Sequence, residues 1–79
     1  MKFKGTKGPW VYDKDQEGVC SKNGYIIADI FPGDQEDNAI LISKAPEMLE
    51  MLKWCLLDDN LNEYTRKRIE QLIKSATEI

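Results

Sequence analysis

Cys20 and Cys55 are the two thiols of this 79-residue chain, which contains no histidine. A cysteine nucleophile needs a base beside it, and histidine is the usual one. The wide spacing of the two thiols matches neither a redox pair nor a zinc site. Two reduced, partly buried thiols are therefore expected, with no role as nucleophile or metal ligand. Acid–base chemistry would need two carboxyl groups held in a dry cleft. The acids instead cluster at Asp13, Asp15 and Glu17 and at Asp34, Glu36 and Asp37, in stretches that read as hydrated turns and caps. Gly24 and Gly33 are isolated turn glycines and make no phosphate-binding loop. No catalytic residue, metal ligand or cofactor is assigned, and the chain reads as a protein that is not an enzyme.

The remaining charges narrow the function classes. Net charge is −3, against the basic balance that general nucleic-acid binding needs. The support for that class is confined to Lys2, Lys4 and Lys7 and to the Arg66-Lys67-Arg68 cluster. Apolar residues at 42% and charged residues at 32% give a folding composition. The apolar runs are short, so no membrane span is expected. No apolar stretch follows the first lysines, so no signal peptide is read and a cytoplasmic location is expected.

The elements that must position these residues change character at Pro32-Gly33. Residues 1–9, with three lysines, read as a basic flexible arm, and residues 10–79 as a single domain. Trp10-Val11-Tyr12, Val19-Cys20-Ser21 and Tyr25 to Phe31 read as strands. Asn23-Gly24 predicts a tight hairpin turn with both central residues at positive φ. On the third strand, Ile26, Ala28 and Ile30 are expected to face helices, with Tyr25, Ile27, Asp29 and Phe31 on the other side. Three helices follow. The first runs from Gln35 to about Lys44 with Asp34 as N-cap. It is expected to place Asn38, Ala39, Leu41 and Ile42 on one side and Ile40 on the other. A bend at Ala45-Pro46 leads into the second, which ends near Leu57. Asn62 to Thr77 forms the third, amphipathic on the Leu61, Thr65, Ile69, Leu72, Ile73, Ala76 and Ile79 stripe, with Glu63–Lys67 and Glu70–Lys74 pairs outside. The fold class is α+β: a small three-stranded antiparallel sheet followed by three helices packed on one face.

Apolar residues outside this core pattern are the candidate interaction surface. In the second helix, Met48, Leu49, Met51, Leu52, Cys55 and Leu56 form a core arc, whereas Trp54 and Leu57 project among charges. Ile40 joins them as an exposed candidate. Tyr25, Ile27 and Phe31 form a second apolar face of the sheet. Trp10 is either an interface anchor or a plug of the small core.

Four segments together resemble a known group. Thr6-Lys7-Gly8-Pro9-Trp10, Ile27-Ala28-Asp29, Asn38-Ala39-Ile40-Leu41-Ile42 and Ala45-Pro46-Glu47-Met48-Leu49 look like a group of short phage and prophage proteins. Those carry a Gly-Pro-Trp start, an Ile-Ala-Asp strand and an Asn-Ala-x-Leu-Ile-x-x-Ala-Pro-x-Leu-Leu helix pair. Ile40 and Ser43-Lys44 depart from the pattern, and the last helix shows no match to it. The resemblance implies a phage origin and a bacterial host, without implying an activity. The function expected from it is a non-catalytic accessory protein that binds a host protein, inhibitory binding included. A small-ligand, nucleotide-like sequestering protein with its site at a subunit boundary is the alternative, and a nucleic-acid binder the third. A small core gains from added burial, so a homodimer is expected, through either the sheet face or the helix face.

Overall fold

A computed structural model describes residues 2–30 and 35–78. It has the expected α+β architecture: strands β1 (Trp10–Asp13), β2 (Gly18–Ser21) and β3 (Ile26–Asp29), then helices α1 (Gln35–Ser43), α2 (Ala45–Cys55) and α3 (Glu63–Thr77). The sheet is antiparallel in the order β1-β2-β3. Phe31, the Pro32-Gly33 stop, the N-cap assigned to Asp34 and Ile79 lie outside the described residues.

Both hairpins are made by specific local chemistry. In the first, Asp13 Oδ1 accepts from the backbone N–H groups of Asp15 and Gln16 at 3.0 and 3.3 Å, an Asx turn that starts the loop. Glu17 closes it with φ 51, a left-handed conformation that costs a residue with a Cβ about 1–2 kcal/mol. Gly18 is then needed for a different reason. A Cβ there would lie 2.6 Å from the carbonyl oxygen of Ala28 on β3. The second hairpin corrects the expected two-residue turn. Gly24 N–H donates to the Ser21 carbonyl at 2.9 Å, and Ser21 N–H donates to the Tyr25 carbonyl at 2.8 Å. The loop thus has three residues, and Gly24, not Asn23, takes positive φ at 88. A turn followed by one left-handed glycine is the common three-residue solution.

The register of β3 is irregular. Val19 pairs with Ala28, but Cys20 pairs with Ile26, so Ile27 is an extra residue, a β-bulge. A bulge breaks the alternation of side chains, which corrects the face expected for Ile26. Ala28 stays on the side of Val19, while Ile26 shares the side of Cys20 and is exposed. Val19 and Ala39 have no solvent exposure, and α1 lies against β1 and β2. The helix therefore covers the face that carries Tyr12, Val19 and Ala28. Ala39 and Ser43, small residues one turn apart, are buried on it and let it approach closely. Leu41, expected on this side, is exposed instead.

Helix α1 ends at Ser43 and the N–H of Lys44, in the turn before α2, bonds to the Leu41 carbonyl, so the break falls one residue before the expected Ala45-Pro46 bend. Pro46 then falls in the first turn of α2, where a missing N–H removes no helical bond. Asn62 caps α3, its Oδ1 accepting from Thr65 N–H at 2.8 Å. Ile73 is fully buried, but Leu72 of the same expected stripe is exposed. The described chain forms two compact units: Thr6–Glu47, and Met48 onward joined by the residues up to Gly5. In the first unit, a Cβ on Gly8 would meet Pro46 Cβ at 2.6 Å, so the Gly-Pro-Trp and Ala-Pro segments of the sequence touch.

The two residues that close the first hairpin should respond oppositely to substitution. Gly18→Ala should lower unfolding free energy by about 1–3 kcal/mol, because a backbone carbonyl must shift. Glu17→Gly should leave it unchanged or raise it by up to about 1 kcal/mol. Urea unfolding followed by circular dichroism measures both.

Candidate interaction surfaces

The face of the sheet opposite α1 is built by the register. Val11, Cys20 and Ile26 lie side by side across the three strands. Val11 is 55% and Ile26 54% exposed, while Cys20 between them is buried. Tyr25, next to Ile26 in sequence and opposite Ser21 across the turn, is exposed but alternates to the other side of the sheet. Asp13 and Asp29 flank Gly18 at the other end, paired with it on either side. A shallow cleft of about 500 Å³ runs along this face past Asp13, Val11, Cys20 and Lys22.

The second surface lies on α2. Met48, Met51, Trp54 and Leu57 are 44%, 64%, 67% and 73% exposed. Each is three residues from the next. At 100° per residue, the three helical members sweep an arc of about 120°. After Cys55 the backbone tightens: Leu56 N–H bonds to the Lys53 carbonyl and Leu57 N–H to the Trp54 carbonyl. Residues three apart eclipse in such a turn, so Leu57 lies above Trp54. This corrects the core arc expected for the helix. Met48 and Met51 are surface residues, and Leu49, Leu52, Cys55 and Leu56 are half-buried. Lys53 is paired with Glu50 at 3.8 Å, and Asp58 and Asp59 are exposed beyond the helix end.

The Arg66-Lys67-Arg68 cluster is divided by its contacts. Arg66 donates from Nη1 to the Leu56 carbonyl at 2.7 Å and from Nη2 to the Asp58 carbonyl at 2.9 Å. Those carbonyls follow the last turn of α2, where no helical N–H reaches them. Arg68 lies 5.7 Å from the Tyr64 ring centre and donates to its hydroxyl at 3.0 Å. Two of the three cations are thus engaged within the fold. Lys2 and Lys4 line a cleft with Ser75–Glu78 at the end of α3, where carbonyl partial charge favours cations. Lys7 belongs to the other unit. The expected Glu63–Lys67 and Glu70–Lys74 pairs do not close; among the described residues the ion pair within 4.0 Å is Lys53–Glu50.

The sequence candidates therefore separate. Trp54 and Leu57 are exposed and adjacent as expected, and Met48 and Met51 extend their surface. The three-residue spacing of all four was visible in the sequence. Ile40 is exposed but belongs to the Thr6–Glu47 unit. Tyr25 is exposed on the Ser21 side, Ile27 is half-buried at the bulge, and Val11 and Ile26 take their place on the open sheet face. Trp10 is half-buried with its indole N–H donating to the Thr6 carbonyl at 3.1 Å. Both cysteines are free thiols. Among the described residues no group of three or more histidine, cysteine or acidic side chains could hold a metal, and no helix is long and apolar enough to cross a membrane.

Arg66→Ala should destabilise the chain by about 1.5–3 kcal/mol, since the guanidinium makes two charge-assisted bonds. Arg66→Lys should recover less than half of that, because an ammonium lacks the fork. Lys67→Ala should stay within about 0.5 kcal/mol. Equal losses at positions 66 and 67 in urea unfolding would contradict this account.

No curated protein and no solved structure matches the chain. One family model does, described as Salmonella phage P22 protein Y8K6, and it covers residues 1–79. A short chain matched from end to end by that model belongs to the family of phage proteins it describes.

Proposed function

We propose that this phage protein is a non-catalytic accessory protein that binds a host protein in the bacterial cytoplasm, through the exposed face of α2. The observation that carries the reading is the run of Met48, Met51, Trp54 and Leu57 along one helix. A patch of this kind, on the order of several hundred Å², is the size at which exposed apolar surface marks an interaction site. Trp54 is suited to anchor it, because a large indole buried in a partner's pocket supplies much of the energy of such contacts. The two methionines adapt to the shape around it. Glu50, Asp58 and Asp59 border the patch, so the complementary host surface is an apolar recess with lysine or arginine at its rim.

Affinity capture with the tagged full chain from bacterial lysate tests this. Wild type should retain one host protein at stoichiometric yield. Trp54→Glu should lose it by at least about tenfold, which is 1.4 kcal/mol, while keeping wild-type thermal stability. A host protein retained equally by both would remove the α2 face from the reading. Recovery of nucleic acid with steep salt dependence, or of a metabolite on denaturation, would replace host-protein binding altogether.

A further inference from the structure

The open face of the sheet is charged unevenly along its strands. Its loop end holds Asp13, Asp15, Glu17 and Asp29, with Lys14 as the one cation among them. Its turn end holds the exposed Lys22. Between the ends runs the apolar row of Val11, Cys20 and Ile26. We infer that this face is covered by the same face of a second copy of the chain.

A two-fold axis that lies between two stacked sheets, perpendicular to their strands, reverses the strand direction of one copy relative to the other. The acidic loop end of each copy then lies over the Lys22 end of its partner. The apolar rows meet in the middle, about 10 Å apart backbone to backbone, as in other face-to-face sheets. Such pairing satisfies both rules of a symmetric interface: one patch meets itself, and opposite charges meet opposite charges. With the axis parallel to the strands, acid would face acid instead. The face also offers no projecting anchor at its centre, because Cys20 is sunk between its neighbours. A patch on the order of 500 Å² buried on each copy totals about 1,000 Å², the lower limit of specific interfaces. That size belongs with weak, transient interfaces.

Sedimentation equilibrium of the full chain from about 1 to about 100 µM tests the inference. Wild type should pass from monomer to dimer across that range. Ile26→Glu should be monomeric throughout. Lys22→Glu should raise Kd about three- to tenfold, and adding Asp29→Lys should restore much of the loss. Should Ile26→Glu fail to fold, the Lys22 and Asp29 variants, both at exposed positions, still decide the matter. Trp54→Glu should leave the dimer intact, which separates this interface from the host-binding face of α2. A wild-type monomer at all concentrations overturns the inference. So does a dimer that Trp54→Glu dissociates and the Lys22→Glu variant does not.

Discussion

Where β2 passes β3, the backbones come close enough at Gly18 that a Cβ would lie 2.6 Å from the Ala28 carbonyl oxygen, and between Val19 and Cys20 the ladder absorbs Ile27 as a bulge. Much of the sheet follows from this junction. The bulge keeps Ala28 beside Val19 under α1 and turns Ile26 to the opposite side, beside Cys20. Without it, strict alternation would put Ile26 under the helix and Ile27 in the open. A single extra residue thus moves a branched apolar side chain from core to surface. The resulting row of Val11, Cys20 and Ile26 has no counterpart in a regular strand of this sequence.

The Met48–Ile79 part of the chain is governed by a different constraint. Helix α2 has no fully buried residue, so its end must be fixed by polar contacts as much as by packing. Arg66 performs this role by bonding the Leu56 and Asp58 carbonyls from α3. The turn it holds places Leu57 over Trp54. A residue of the basic Arg66-Lys67-Arg68 cluster therefore shapes an apolar surface.

The two surfaces have different characters. The α2 face is convex, with projecting side chains and an indole among flexible thioethers, which suits insertion into a recess. The sheet face has its central thiol sunk and its charge divided between two ends, which suits a copy of itself. On the proposals above, this phage protein presents a helix to a host protein and associates through its sheet.

The sequence by itself determined the element order, because the hydrophobic period changes from two to 3.6 after Pro32-Gly33 and because turn residues and caps act locally. It determined that Trp54 and Leu57 stand outside the core, since charges surround them, and its four motif segments pointed to the phage group. Tertiary structure decided the rest. The face of Ile26 depends on a bulge that arises only when β3 is registered against β2. Whether Gly18 was needed for φ or for space depends on a carbonyl of another strand. Met48 and Met51 lie on an arc that periodicity marks as apolar, but periodicity does not say which half of a broad arc is covered. The role of Arg66 required the end of α2 to be within reach of a residue eight to ten positions away, a distance over which local sequence rules carry no information.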